Sequence, residues 1–272
     1  MMGIGNNQLM KNQVSSNAWI ITGASLVSTT LIGTQTTPQG LFIREDGLKI
    51  YNTDRASSPV RVVESDLTSA WQSSTVSILR TSAVNTQDSS PYGVYFKEDG
   101  LKMYILGTAN TSIFQYSLST AWNISTKTYV QSFSLTAHVS TATGFTFNND
   151  GTKVYVGDND APDDITQYNL STAWDISTCT YVGAKVVSAQ DGAIRGMYMS
   201  PDGTMFFFAG LVTHKIFKYT LSTPYLISSA TYDSEFLVTV TVGQLISVYF
   251  KPDGTKMYAY LSSSGGLKEY NL

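Results

Sequence analysis

Residues 168–174 read Tyr168-Asn169-Leu170-Ser171-Thr172-Ala173-Trp174, and the chain keeps returning to this phrase. It stands earlier as Tyr116-Ser117-Leu118-Ser119-Thr120-Ala121-Trp122 and later as Tyr219-Thr220-Leu221-Ser222-Thr223-Pro224-Tyr225. A shortened copy is Leu67-Thr68-Ser69-Ala70-Trp71. The last residues, Tyr270-Asn271-Leu272, stop halfway through it, and Ser16-Asn17-Ala18-Trp19 supplies the other half. An apolar pair follows each tryptophan: Leu26-Val27, Ile78-Leu79, Tyr129-Val130 and Tyr181-Val182. In repeat register Leu272 is equivalent to residue 15, and the 257 residues between them make five repeats of 51.4.

A second phrase keeps the same time. Asp46-Gly47, Asp99-Gly100, Asp150-Gly151, Asp202-Gly203 and Asp253-Gly254 are spaced by 53, 51, 52 and 51 residues. Five residues after each Asp stands Tyr51, Tyr104, Tyr155, Phe207 or Tyr258. Six residues before it stands Gly40, Gly93, Gly144, Gly196 or Ser247. Copies in one register mean architecture: Asp caps a turn with its own side chain, and Gly takes the positive φ. Each pair reads as a two-residue hairpin. Runs rich in Tyr, Val, Ile, Phe and Thr surround the turns, as strands prefer, and no stretch carries a sustained helical period. In one repeat the strands fall at residues 94–96, 102–106, 113–118 and 129–135.

The fold class these observations predict is all-β: a five-bladed β-propeller with four-stranded blades of about 52 residues. A lone four-stranded sheet cannot bury both faces, so blades must stack. One blade is closed by the N- and C-terminal segments. An open array or β-solenoid has no use for complementary half repeats. Residues 15–272 are expected to form this single domain. Residues 1–14, rich in Asn and Gln, read as an arm that docks on a neighbouring subunit.

Composition excludes several classes. The 272 residues carry a formal net charge of -3 and only 14% charged side chains, so no electrostatic footprint for nucleic acid is present. No Lys/Arg run suits an anionic membrane, and no apolar run suits a span. Cys179 is the single cysteine, which rules out an internal disulfide and a multi-Cys metal site. It reads as a small buried residue. The repeated lysines are expected to cover blade edges with their stems, and Trp19, Trp71, Trp122 and Trp174 to wedge between sheets.

Function is expected where the repeats differ. The interblade loops and the loops between second and third strands open on one face. In or beside the former lie Gln87, Asp88, Tyr92, His138, Gln190, Asp191 and Arg195, the candidate ligand-binding residues. In the third blade Asp158, Asp160, Asp163 and Asp164 crowd one loop. Four carboxylates could hold Ca2+ through oxygen ligands, but the EF-hand glycine and distal glutamate are missing, and a solvated acidic loop is the simpler reading. No cofactor is otherwise expected. His214 sits in the matching loop of the fourth blade. Catalysis finds little: no nucleophile elbow, and no acid in first strands such as 94–96 and 197–199. The protein is therefore expected not to be an enzyme, with a glycan-cleaving enzyme as the alternative.

The unit Tyr249-Phe250-Lys251-Pro252-Asp253-Gly254-Thr255-Lys256-Met257-Tyr258 resembles a propeller repeat seen in bacteriophage and marine bacterial proteins. So does the stretch from Tyr168 to Thr178, and the resemblance covers nearly the whole chain after about residue 15. It implies a virion or tail-associated protein displaying a propeller toward a host surface. The architecture is also similar to five-bladed lectin propellers, although no sugar-site residue carries over by motif. The expected function is non-enzymatic binding of host-surface glycan, a receptor-binding role. The alternative is a decoration or adaptor subunit whose partners are other virion proteins. The expected location is the virion, possible without a signal peptide because a virion protein folds in the host cytoplasm. Multimers within a virion are an accompanying expectation.

Overall fold

The Asp-Gly pairs sit in the hairpin turns, in a longer loop than a two-residue turn. In the computed structural model, which describes residues 18–33, 35–262 and 266–272, Arg44 N–H bonds the Lys49 carbonyl at 2.9 Å. Four residues, 45–48, separate that pair, and Gly47 N–H closes a turn on the Arg44 carbonyl at 2.7 Å. The Asp46 carboxylate accepts the Leu48 N–H at 3.0 Å, which fixes the residue after the glycine. Asp99, Asp150, Asp202 and Asp253 do the same for Leu101, Thr152, Thr204 and Thr255.

The two repeated phrases meet in space. Trp71 N–H donates to the Gly47 carbonyl at 2.9 Å, and the indole lies flat against that glycine. A Cβ on Gly47 would come within 2.5 Å of the ring. Trp122, Trp174, Tyr225 and Trp19 cover Gly100, Gly151, Gly203 and Gly254 in the same way. All five aromatic residues hold a left-handed backbone, φ 60 to 67°. Non-glycine residues adopt that region at a cost of about 1–2 kcal/mol, so packing of the rings must exceed it.

Twenty strands result among the described residues. β1 (Ser25–Leu31) stands alone at the start. The first blade is β2 (Pro38–Ile43), β3 (Lys49–Asp54), β4 (Arg61–Leu67) and β5 (Val76–Ala83). The second is β6 (Pro91–Phe96), β7 (Lys102–Gly107), β8 (Ser112–Leu118) and β9 (Lys127–Ser134). The third is β10 (Ala142–Phe147), β11 (Lys153–Asp158), β12 (Asp164–Leu170) and β13 (Cys179–Val186). The fourth is β14 (Ile194–Met199), β15 (Met205–Gly210), β16 (Lys215–Leu221) and β17 (Ala230–Leu237). The fifth is β18 (Leu245–Phe250), β19 (Lys256–Leu261) and β20 (Gly266–Asn271), completed by β1. β1 runs antiparallel to β20 from Ser25 opposite Asn271 to Leu31 opposite Gly266. The chain is thus a five-bladed β-propeller whose last blade joins the two ends of the sequence. The proposed arm, residues 1–14, lies outside the described residues.

Neighbouring blades are clipped by two repeated polar contacts. The second-strand tyrosine donates its hydroxyl to the carbonyl of the next blade's wedge: Tyr51 to Trp122, Tyr104 to Trp174, Tyr155 to Tyr225 and Tyr258 to Trp71, at 2.7–2.8 Å. A third-strand carboxylate or amide accepts a backbone N–H in the turn just past that wedge. The pairs are Glu64 with Ile124, Gln115 with Ile176, Gln167 with Ile227 and Glu269 with Ser73. The second-strand lysines do more than cover an edge. Lys49 pairs with Glu64 at 2.8 Å, Lys256 pairs with Glu269, and Lys102 donates to the Trp174 carbonyl at 3.0 Å. The three inner strands of each blade are largely buried, while the outermost strand alternates. The apolar pairs after each tryptophan fall on that outer strand and remain half exposed.

The hairpin aspartates set an acid limit. Burial pushes each carboxyl up, but side-chain and backbone hydrogen bonds outweigh it and hold Asp46, Asp99, Asp150, Asp202 and Asp253 below the ordinary 3.8. A depressed folded pKa gives stability that is present above the unfolded pKa and lost as pH falls through the folded value. The melting temperature should therefore be flat from about pH 7 to pH 5 and fall below about pH 4. Replacing all five by Asn keeps the acceptor and should move the fall to lower pH. An unmoved acid limb would assign it to other groups.

Candidate functional site

The first strand of each blade lines the axis. One residue before each first-strand glycine, or Ser247, stands Gln39, Tyr92, Thr143, Arg195 or Ile246. Thr143 turns aside and donates its hydroxyl to the Ile194 carbonyl at 2.8 Å. The other four line a cavity of about 210 Å3 at the interblade-loop end of the axis, together with Thr36, Thr37, Arg55, Leu211, Gln244 and Ser262.

Two guanidinium groups meet there over one ring. Arg55 donates from Nη1 to the Tyr92 hydroxyl at 2.7 Å, and its Cζ lies 4.9 Å from the ring centroid. Arg195 lies over the same ring at 5.5 Å and donates from Nη1 to the Ile194 carbonyl at 3.0 Å. Among the described residues neither arginine has a carboxylate partner. Of the carboxylates nearby, Asp54 is taken by Arg61 at 3.1 Å and by the Thr37 N–H at 3.0 Å, and Asp191 by the N–H groups of Ala193 and Thr213. Arg55 Nε is buried without an acceptor. The Gln39 side chain is 4% exposed and has no hydrogen-bond partner among the described residues. Burial lowers the Arg195 pKa; Tyr92 raises it, the Arg55 charge lowers it, and the Asp191 carboxylate, which is not in contact with it, raises it slightly. Two half-buried cations with unused donors are chemically suited to an anion, since Arg presents a planar fork that matches carboxylate, sulfate or phosphate.

Of the seven candidate ligand residues, Tyr92 and Arg195 come together in this funnel. Asp88 and Asp191 are buried and tie loops: Asp88 accepts N–H groups of Ser90 and Asn110 at 2.6 and 2.9 Å. Asp191 accepts those of Ala193 and Thr213 at 2.8 and 2.9 Å. Each sits against a glycine at the end of a second strand, Gly107 or Gly210, where no Cβ would fit. In the first and third blades the arrangement is reversed: Asp54 and Asp158 end the second strand and hold the interblade loop. Gln87 and Gln190 accept the hydroxyls of Tyr116 and Tyr219 at 3.1 and 2.6 Å. His138, in the equivalent position, stacks on Tyr181 with centroids 3.8 Å apart.

The acidic loop does not close around a point. Among the described residues no three His, Cys, Asp or Glu side chains are placed to hold a metal ion. Both Asp158 oxygens accept loop N–H groups, from Ser140 and Thr141, and Asp164 accepts the Thr166 hydroxyl at 3.1 Å. Burial, with like charge from neighbouring aspartates, raises the pKa of Asp163 and Asp164. Cys179 is partly exposed, and burial followed by the Asp175 charge pushes its thiol up to about 12. A protonated thiol is a poor nucleophile.

Arg55 and Gln39 were missed from the sequence. Gln39 could have been found by writing the five first strands in register. Arg55 has no counterpart in the repeat, and its approach to Tyr92 and Arg195 is a contact between blades.

No family model matches the chain, and no curated protein does. Solved structures share its fold. A functionally unknown protein from Desulfotomaculum acetoxidans is 11% identical with a TM-score of 0.55, over 88% of this chain and 70% of that one. A protein from Bacteroides uniformis described as a candidate 6-phosphogluconolactonase is 16% identical with a TM-score of 0.51, over 87% and 66%. A protein from Lactobacillus plantarum is 15% identical with a TM-score of 0.52, over 85% and 65%. The chain spans about two-thirds of the length of these proteins. At such identities the likeness carries the fold and no activity.

Proposed function

We propose that this propeller is a non-enzymatic binding protein that takes an acidic group of a surface glycan into the axial funnel. The observation that carries the reading is the Arg55–Tyr92–Arg195 stack, two cations over one ring with no carboxylate of their own. A uronate or sialate carboxylate, or a sugar phosphate, would accept from both guanidinium groups while Gln39 and the Thr36–Thr37 loop bond ring hydroxyls. Among the described residues the funnel's lining holds no Asp or Glu, which leaves its two cations free for an acidic ligand. The setting we infer is a virion or tail surface, on the resemblance of the repeat and a surface poor in charge. Weak single sites would gain from several copies there.

Binding to a panel of acidic and neutral bacterial glycans tests the proposal. Saturable, salt-sensitive binding to acidic glycans without product formation is expected. Arg55→Gln with Arg195→Gln should weaken it by about tenfold or more, since a hydrogen bond to a charged group is worth about 1.5–3 kcal/mol. Melting curves of the variant serve as the control for folding. Neutral glycans bound as well as acidic ones, or a double variant that binds like the parent, would refute the arginine site. Turnover would replace binding by catalysis.

A further inference from the structure

The opposite end of the axis carries a second cavity, of about 240 Å3, that shares no lining residue with the first. Its character is the reverse of the arginine funnel. The position two residues after each first-strand glycine supplies Phe42, Tyr95, Tyr198 and Tyr249 to its wall, with Thr146 leaving a gap. Adjacent rings stand edge to face: Phe42–Tyr95 at 5.1 Å and 66°, Phe42–Tyr249 at 5.8 Å and 70°, Tyr198–Tyr249 at 5.1 Å and 72°. Neighbours so spaced lie about 4–5 Å from the axis, within the ~6 Å reach of a cation–π contact.

Two features point to the ligand. Glu45 and Glu98 line the mouth, and neither has a cation among the described residues. The adjacent cations are already taken: Arg44 by Asp46 and Lys97 by Asp99, each at 2.6 Å. Inside, Tyr198 and Tyr249 are only 7% and 8% exposed, yet their hydroxyls have no hydrogen-bond partner among the described residues. The Tyr95 hydroxyl has none either. None of the three is a sealed, orphaned atom, so each reaches the cavity space. Burial raises the pKa of all three phenols, and the Glu45 charge adds to it in each.

We propose that this aromatic cavity is a binding site for a small organic cation of the alkylated ammonium kind, held by the Phe42, Tyr95, Tyr198 and Tyr249 rings under the Glu45 and Glu98 carboxylates. A methylated ammonium matches on every count. Its charge is spread over apolar methyl groups, which suits ring faces better than a strongly hydrated ammonium. Lipid headgroups and choline-bearing glycopolymers both present it. The site is separate from the arginine funnel, and its test does not depend on that reading.

Calorimetric titration of the full chain with tetramethylammonium chloride and with choline chloride, against sodium chloride, measures it. Saturable binding of both is expected, with the neutral carbon isostere of choline about tenfold weaker or worse. Glu45 and Glu98 are exposed, so Glu45→Gln with Glu98→Gln should fold normally and bind the cations several-fold more weakly. Absence of saturable binding to either cation would overturn the proposal. Equal binding of the isostere would overturn it too, leaving an apolar cleft. Once tetramethylammonium binds, glycerophosphocholine against choline-substituted glycopolymer fragments separates the two sources.

Discussion

A chain beginning at Ile32 should melt about 10–20 °C below one beginning at Ala18. It loses β1, the outer strand of the fifth blade, and with it the pairing of Ser25–Leu31 to β20. It also loses Trp19, which lies 5.8 Å from Phe207 and 5.6 Å from Phe250, and Ile21, which is fully buried. Burying an aliphatic side chain of that size is worth about 1.5–3 kcal/mol, and removing a core tryptophan costs about 3–5. At this chain length each kcal/mol moves the melting temperature by about 2–4 °C.

The loss falls on the interface least able to bear it. Between the fourth and fifth blades both polar clips are missing among the described residues. Phe207 stands where the other blades have Tyr51, Tyr104, Tyr155 and Tyr258, so it has no hydroxyl to offer the Trp19 carbonyl. Lys218 stands where they have Glu64, Gln115, Gln167 and Glu269; it pairs with Asp233 at 2.9 Å instead and cannot accept an N–H. Trp19 stacked on Phe207, β14 and β15 packed on β18, and the Ile21–Gly23 turn against β17 carry this interface. A melting curve unchanged by the truncation would mean that closure through β1 contributes nothing to the ring.

Trp174→Ala should lower the melting temperature by about 10 °C, from the 3–5 kcal/mol cost of a core aromatic. The indole is 7% exposed, packs 5.4 Å from Phe147 and stacks on Tyr95 at 6.3 Å. It also seals the hairpin of its own blade by lying on Gly151. The backbone at Trp174 is left-handed, φ 63°. Trp174→Gly removes the same ring but relieves about 1 kcal/mol of backbone strain. The glycine variant should therefore be the more stable of the two, the reverse of the usual order for these residues. An alanine variant equal to or better than glycine would show that the left-handed conformation does not survive loss of the ring.

Much of this was legible in the residues. Repetition made the architecture readable: a residue that recurs five times in register is explained by the repeat and not by a site. The half phrases at 16–19 and 270–272 gave the closure, because only together do they complete a four-stranded blade like the other four. Asp88 and Asp191 show the limit. As loop carboxylates they resembled ligand residues, and only the approach of Asn110 and Thr213 assigns their oxygens to backbone N–H groups. Gln87 and Gln190 stand at the same 29-residue offset from Tyr116 and Tyr219, but only the packing shows that the amide accepts the hydroxyl.

The sequence by itself determined the strand order, the blade number and the split blade. These depend on local turn chemistry and on a period, and both are written along the chain. Tertiary structure alone decided the two ends of the axis. Arg55 and Arg195 are 140 residues apart and belong to different blades, as do Tyr95 and Tyr249. They meet because rotation about a common axis brings equivalent positions of every blade to one place, where side chains interact across the repeat. A charge that looks solitary in its own blade then acquires a neighbour of the same sign, and the field at each mouth follows from that convergence.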